Sequence, residues 1–492
     1  MIDPRHRASR RIAAAGLVAL ALTAAACSSG SGSSKGSSDS GGGSSGSSAS
    51  SGGGSGAAGA EGQDTKDPKI YNGAAGFKLD LNKCPADYNP KQGITATDIN
   101  VAISLPKSGP AQGFGLIADG MTSYFNYIND QGGVAGHKIH LAVKDDGYEA
   151  ARTKTNIDDF IGQGDVAAFT AVLGTPNNLA VWDKLNELCF PQLFNATGAA
   201  QWGDVEGHPW TTGFQLDYFT AAKIWAEYLK ERFPNGTNVA LLTFNSDFGK
   251  SYLKGFKTAI KGSNIKLVAE QTHEQTDQNL KAQITTLAAS KADVFIAGTT
   301  GAFCTDAMRQ VAQSGWHPLE IISETCASIS QFFKPLNPTT ATDPHPGEGV
   351  LLVATGKDVN DVAWKDDPNV KLFKETVAKQ GLDPKQTTLS TGWSFAQPVV
   401  ETIKKAATLQ GGLTRPNMMI AARDLNFEGL FALPGLKAIM KGNDDAYLTE
   451  GGIMKKFTYN QGSPTYVDAE GAKLINLEGQ TGNFTKVSQA TP

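Results

Sequence analysis

From residue 98 onward the apolar positions alternate between two periods. Short runs rich in β-branched residues read as strands: Ile99–Leu105, His137–Lys144, Val166–Leu173 and Gln192–Phe194. Between them apolar residues recur at helical spacing. Ile117, Met121, Tyr124, Phe125 and Ile128 form one stripe, and helices are predicted over Ala151–Ile161 and Asn178–Leu188. A second series starts after Gly213. Its predicted strands are Asn238–Phe244, Ile265–Glu270, Asp293–Ala297 and Leu319–Ser323, and its helices cover 217–232, 248–261, 278–289 and 303–313. Another strand follows at Val350–Ala354, then helices around 369–380 and 390–409 that are expected to return to the first series. Lys456–Asn460 and Pro464–Val467 read as a closing hairpin turned by Gln461-Gly462-Ser463. Strands separated by helices of ten to fifteen residues predict an α/β fold with parallel, doubly wound sheets, and two such series predict two lobes.

The first sixty residues follow neither period. Arg5, Arg7, Arg10 and Arg11 precede the apolar stretch Ile12–Ala26, which is short for a bilayer span and suits a signal peptide. The stretch ends Leu22-Thr23-Ala24-Ala25-Ala26-Cys27, similar to a bacterial lipobox in which Cys27 becomes the lipidated first residue. Ordinary cleavage beside an incidental Cys is the alternative. Arg10-Arg11 leaves the export route open. Residues 28–60 hold 15 Ser and 12 Gly, a composition that cannot build a core and behaves as a soft tether. The expected location is therefore outside the cell membrane, held there by lipid.

The chain of 492 residues carries a formal charge of −4, which gives no basic footprint for nucleic acid. Apart from Cys27 there are four cysteines, Cys84, Cys189, Cys304 and Cys326, an even number for an oxidising compartment. Of three connectivities we favour Cys84–Cys189 and Cys304–Cys326, the latter pair flanking one helix–strand step. No C-x-x-C or His pair supports a zinc site.

In open α/β sheets ligands bind beyond the carboxyl ends of the strands. The exits here are Ser108-Gly109-Pro110-Ala111-Gln112-Gly113-Phe114-Gly115, Gly174-Thr175-Pro176-Asn177-Asn178, Asn195-Ala196-Thr197-Gly198, Asn245-Ser246-Asp247-Phe248-Gly249, Thr299-Thr300-Gly301 and Glu324-Thr325. They are small, hydroxylated and glycine-rich, suited to holding a small polar ligand. A ligand carboxylate fits the helix start at Thr175–Asn178. Glu324 is the lone acid there without a local task, hence a natural partner for a ligand ammonium; the alternative is a solvated surface Glu. Asp247 is expected to cap the helix at Phe248.

These runs, with Asn129-Asp130-Gln131-Gly132-Gly133-Val134-Ala135-Gly136-His137-Lys138-Ile139, Lys144-Asp145-Asp146 and Ala307-Met308-Arg309-Gln310, resemble the branched-chain amino-acid-binding lipoproteins of ABC importers, which are type I periplasmic binding proteins. The resemblance spans roughly residues 98–470. It implies two Rossmann-like lobes joined by three hinge crossings near 214, 355 and 455, closing on a ligand in the manner of a Venus flytrap. It divides the chain into a leader (1–26), a lipidated Cys27 with tether (27–67), an N-terminal extension (68–97), lobe 1 (98–213 and 355–454) and lobe 2 (214–354 and 455–492). It also implies that Thr175, Asn177, Ala196 and Thr197 hold a ligand carboxylate, that Phe114 covers the ligand, and that Glu324 takes its ammonium. Phe248 and Thr300 stand where the family often has Tyr. The implied partners are an amino acid or related small molecule, a permease with its ATPase, and the membrane through the lipid; no cofactor, metal or nucleic acid is implied.

Two other readings compete. Gly113-x-Gly115-x-x-Ala118 opens a helix after a strand, as in dinucleotide-binding oxidoreductases, but Gly113 lies about eight residues beyond the strand instead of in its tight turn. No nucleophile–base pair supports an enzyme. A tethered receptor of the same fold that reports to a signalling partner fits the same residues as a transporter subunit. Trp202 is read as packing, with the cleft within its reach.

Overall fold

The computed structural model describes residues 60–333, 347–460 and 463–484. The leader, Cys27, the Ser/Gly run and the expected turn at 461–463, apart from Ser463, lie outside them.

The strand Asp98–Leu105 buries almost every side chain, as a strand covered on both faces must. It sits inside a five-stranded parallel sheet, between Lys138–Asp145 and Ala168–Thr170, and the sheet continues through Gln192–Asn195 and Thr211–Gly213. Helices Leu116–Asp130, Ala150–Gln163 and Thr175–Glu187 connect these strands. The third strand is shorter than its apolar run, and just beyond it Ala171 takes φ 50° while its N still donates to Leu193 O at 3.0 Å.

The second sheet has Ile265–His273 at one edge, then Thr237–Phe244, Val294–Gly298, Leu319–Ile322 and Leu351–Ala354, all parallel. An antiparallel hairpin, Gly451–Asn460 with Ser463–Asp468, closes its other edge. This hairpin starts at Gly451, earlier than the Lys456–Asn460 run expected from the sequence. Ile453 in fact faces Ala354, so residues 451–454 belong to the second sheet and not, as expected, to the first lobe. The chain thus passes between the sheets after Gly213, after Ala354 and before Gly451.

After the second passage the chain returns to the first lobe through helices Pro368–Lys379, Thr387–Thr408 and Arg415–Ala422. Two glycines make that return close. A methyl group at Gly120 would overlap the carbonyl of Leu389, and one at Gly392 the carbonyl of Ile117, so the helix backbones touch. Trp393 is fully buried beside them, ringed by Tyr124, Tyr127 and Phe373, and its indole donates to Ser123 Oγ at 3.2 Å.

The tether expected through residue 67 ends sooner. Gly62–Gln63 pairs with Ile70–Asn72, which pairs with Lys78–Asp80, and Gln63 N donates to Gln410 O at 2.8 Å. Two buried guanidiniums bind this extension to the first lobe. Arg415 lies 4.0 Å over the Phe190 ring and donates to the carbonyls of Asn89 and Cys189, and Arg423 lies over Phe77 and donates to the carbonyl of Pro209 at 3.2 Å. Cys84 is bonded to Cys189, and Cys304 to Cys326, each with Cα atoms 5.6 Å apart.

The two bonds close chain segments of 105 and 22 residues. On loop-closure entropy, Cys84→Ser/Cys189→Ser is expected to destabilise by about 2–5 kcal/mol, and by about 1 kcal/mol more than Cys304→Ser/Cys326→Ser. Equilibrium urea unfolding of both double variants measures this; equal losses would mean that loop length does not set the difference.

Candidate functional site

The carboxyl ends of both parallel sheets meet at a cavity of about 280 Å³. Phe114, in the 3-10 turn Gln112–Gly115, lines it from the first lobe together with Gly174 and Ala196. Phe248, Thr300 and Glu324 line it from the second. The lobes touch around it. Gln275 Nε2 donates to Gly147 O at 3.2 Å, Ala302 N to Pro110 O at 3.1 Å, and the Phe114 ring lies 5.9 Å from Phe332.

Glu324 follows the strand Leu319–Ile322, in the 3-10 turn Glu324–Cys326. Its Oε1 accepts the Tyr252 hydroxyl at 2.5 Å, while its Oε2 is buried with no hydrogen-bond partner. Burial pushes its carboxyl up to about 7, against the pull of the Tyr252 bond and with some help from the charge of Asp217. A solvated surface Glu is therefore excluded. Tyr252 itself is fully buried, stacked 4.9 Å from Trp225 and packed on Tyr218 and Phe248.

Tyr252 stands behind the wall, and three other tyrosines, Tyr148, Tyr218 and Tyr466, line the cavity. Tyr148 holds φ 66°, a strained value for a bulky residue. It is fixed there by the buried carboxylate of Asp146, which accepts from Tyr148 N at 2.9 Å, Ser104 Oγ at 2.7 Å and Thr153 Oγ1 at 3.0 Å. Tyr218 begins the helix Tyr218–Arg232, capped by the buried Asp217 through Phe219 N and Thr220 N.

The expected carboxylate cradle is only partly present. Ala196 reaches the cavity, but Thr175, Asn177 and Thr197 do not. Thr175 Oγ1 and Thr197 Oγ1 lie 2.6 Å apart, Tyr218 OH donates to Thr197 Oγ1 at 3.2 Å, and Asn177 Nδ2 donates to Thr153 Oγ1 at 2.7 Å. Thr175 and Thr197 are thus spent on joining strand exits behind the wall, while Asn177 Oδ1 is left buried without a partner. Trp202 packs edge-on against Trp182 and does not line the cavity. Asp247 is the first residue of its helix, with Ser246 at the cap position.

A family model described as "Periplasmic binding protein" matches residues 98–448. The chain belongs to this family. Among individual relatives, it is 24% identical over 208 residues to a Leu/Ile/Val-binding protein homolog 3 of Brucella melitensis, covering 41% of this chain and 54% of that protein. The chain thus spans about half the length of the curated relatives it matches. In solved structures it resembles a fatty acid ABC transporter substrate-binding protein from Thermomonospora curvata, with TM-score 0.64 and 21% identity, over 78% of this chain and 95% of the other. It also resembles a branched-chain amino acid ABC transporter protein from Thermus thermophilus with bound valine, with TM-score 0.67 and 17% identity, over 80% and 100% of the two chains. It has the mixed α/β fold, with parallel sheets and helices, of the type I periplasmic binding proteins.

The sequence pattern missed Tyr148, Tyr218, Tyr252 and Ser328. Tyr252 had a signal, since it stands four residues from Phe248 on one helix face. Ser328 lines the cavity with a buried hydroxyl that has no partner, and nothing in its local sequence announces this.

The raised pKa of Glu324 has a sign that can be tested. A carboxyl that holds its proton more tightly when folded adds stability that is full below about pH 4.5 and lost as pH rises through about 7. Between pH 5 and 8, Glu324→Gln is expected to gain about 2–3 kcal/mol relative to the parent protein. Denaturant titrations at the two pH values measure it, and parallel pH profiles would remove Glu324 as the source.

Proposed function

We propose that this chain is the extracytoplasmic substrate-binding lipoprotein of an ABC importer, which captures an amino acid or similar small polar ligand between its lobes by hinge closure. The observation that carries this reading is the Glu324 carboxylate, buried at the cavity wall with one oxygen satisfied and the other bare. A buried acceptor of that kind is costly until a donor arrives, and a ligand ammonium supplies both the hydrogen bond and the charge. The relatives named for leucine, isoleucine and valine, and the structure with bound valine, support the same class of ligand.

The ligand's carboxylate then faces the start of the helix Thr175–Glu187. There Gly174 and Ala196 are on the wall, their own N–H groups donating to Ala196 O and Val172 O, and the positive end of the helix dipole favours an anion. Phe114 and Phe248 cover the two sides, and Thr300 borders the ammonium end. A ligand touching both lobes favours the closed form, and the closed form is the one a permease is expected to recognise. The two disulfides agree with an oxidising compartment, and Cys27 with a lipid anchor at its outer face.

Calorimetry of the protein with the twenty amino acids tests the reading. At least one is expected to bind with a dissociation constant below about a millimolar, and with none the assignment to amino acids falls. Glu324→Gln is expected to weaken that ligand by about tenfold to a hundredfold. Affinity in the parent protein should also fall as pH drops below about 7, because the incoming ammonium displaces the Glu324 proton. Unchanged affinity in the variant would remove Glu324 as the ammonium partner. In cells, Cys27→Ala is expected to move the protein from the membrane to the soluble fraction; retention on the membrane would remove the lipid anchor.

A further inference from the structure

The one side-chain donor to Glu324 comes from outside the cavity. Tyr252 is fully buried in the helix Asp247–Ala259 and does not line the wall, yet its hydroxyl reaches Glu324 Oε1 at 2.5 Å. Phe248, one turn earlier on the same helix, lines the cavity and has no hydroxyl. Of this pair, the ring on the cavity is apolar, and the ring with the hydroxyl touches Glu324.

Packing fixes where that hydroxyl lies. A methyl group at Gly249 would overlap the carbonyl of Phe244, so the first turn of the helix rests against the end of the strand Thr237–Phe244. From there the Tyr252 ring stacks on Trp225 at 4.9 Å, with Tyr218 at 4.5 Å and Phe248 at 5.2 Å. Burial holds the phenol well above its ordinary pKa, so it stays a donor.

The turn that carries Glu324 has its own supports. Ser323 Oγ and Thr325 Oγ1 donate to Thr299 O at 2.5 and 3.0 Å, Ser323 N donates to Ala297 O at 2.9 Å, and Cys326 is bonded to Cys304. These ties fasten the backbone of the turn to the neighbouring exit. Tyr252 adds its effect at the carboxyl group alone.

That effect is on charge. Burial and the charge of Asp217 favour the neutral carboxyl, while the Tyr252 hydroxyl and the N–H of Glu324 itself favour the carboxylate. Lys357 and Lys437, the cations of the lining among the described residues, are engaged elsewhere: Lys357 Nζ with Asp367 Oδ2 at 2.7 Å, and Lys437 with Glu478. Asp358 on the same lining accepts from Ile329 N, Asn360 N and Thr387 Oγ1, and the Tyr218 and Tyr466 hydroxyls donate to Thr197 Oγ1 and Ala327 O. The charged form of Glu324 therefore leans on a neutral donor.

We propose that Tyr252 is a positioning residue for ligand binding that acts through Glu324: its hydroxyl holds Oε1, leaves Oε2 to the ligand, and keeps the carboxyl in the charged form that an ammonium needs. This rests on the proposed function, in which Glu324 takes that ammonium.

Tyr252→Phe removes the hydroxyl and keeps the stacked ring. Urea unfolding of the parent, Tyr252→Phe, Glu324→Gln and the double variant, from about pH 5 to about pH 9, reads the ionisation of Glu324 without any ligand. In the parent background, the advantage of Glu324→Gln grows with pH and levels off above about 7. In the Tyr252→Phe background it is expected to keep growing for about one further pH unit. Levelling off at the same pH in both backgrounds overturns the inference and leaves the proposed function standing. Replacing tyrosine throughout by 3-fluorotyrosine, a stronger donor of the same shape, is expected to move the level point down; no movement overturns the inference even if Tyr252→Phe does not fold.

Calorimetry with whichever of the twenty amino acids binds the parent protein gives the second readout. Tyr252→Phe is expected to bind it about fivefold more weakly at pH 7 and nearly as well as the parent at about pH 8.5. An equal loss at both pH values marks a reshaped wall and counts against the inference. If no amino acid binds the parent below about a millimolar, the proposed function falls and the inference with it, whatever the ligand-free profiles show.

Discussion

Parallel strands cannot be joined by tight turns, so each must be followed by a crossover that carries the chain back to the sheet's other end. That constraint collects every strand exit on one edge of a sheet. With two such sheets in one chain, the two sets of exits face each other, and the chemistry of the cleft is written in short loops that do not have to maintain the core. Phe114, Gly174, Ala196, Thr300 and Glu324 all occupy such exits. The hydrophobic core beneath them continues across both sheets with buried Val, Ile and Leu, and it is indifferent to what the loops carry.

The cleft is nonetheless not made by loops alone. The helix Thr387–Thr408 enters it from a third direction because Gly120 and Gly392 let that helix lie against Leu116–Asp130 at backbone contact. This contact puts Phe395 beside Phe214 and brings Thr388 to Gln331 of the second lobe. Buried acids organise the same region. Asp358, pushed up to about 6 by burial, accepts from Ile329 N, Asn360 N and Thr387 Oγ1, which ties the second passage to elements on either side. Several polar groups near the passages are thereby tied into the scaffold, whereas Glu324 Oε2 and Ser328 Oγ on the lining are buried without a partner.

Much of this was legible in the sequence, for identifiable reasons. Strands buried on both faces are continuous apolar runs, and helices covering one face are amphipathic stripes, so the order of elements followed from periodicity. Glu324 stood out because an acid among small, hydroxylated exits has no local role. What periodicity does not carry is side-chain direction. Thr175 and Thr197 sit in the expected exits yet bond each other, and Tyr218 bonds Thr197 from a helix that pattern alone assigns only to packing. Tyr148 reaches the wall through a left-handed φ held by Asp146, a strain with no signature in composition. The extension before residue 98 was equally silent, since its strands are two or three residues long and its order depends on Arg415, Arg423 and a disulfide.

That extension has a mechanical consequence. Its first strand is stitched to Gln410, its last turn is locked to Cys189, and its two arginine clamps grip carbonyls of the first lobe. A load applied at residue 60 is carried first by the hydrogen bonds of these strands, and any peeling stops at Cys84, where a covalent bond joins the first lobe. The second lobe carries none of it. The extension is thereby built into the first lobe.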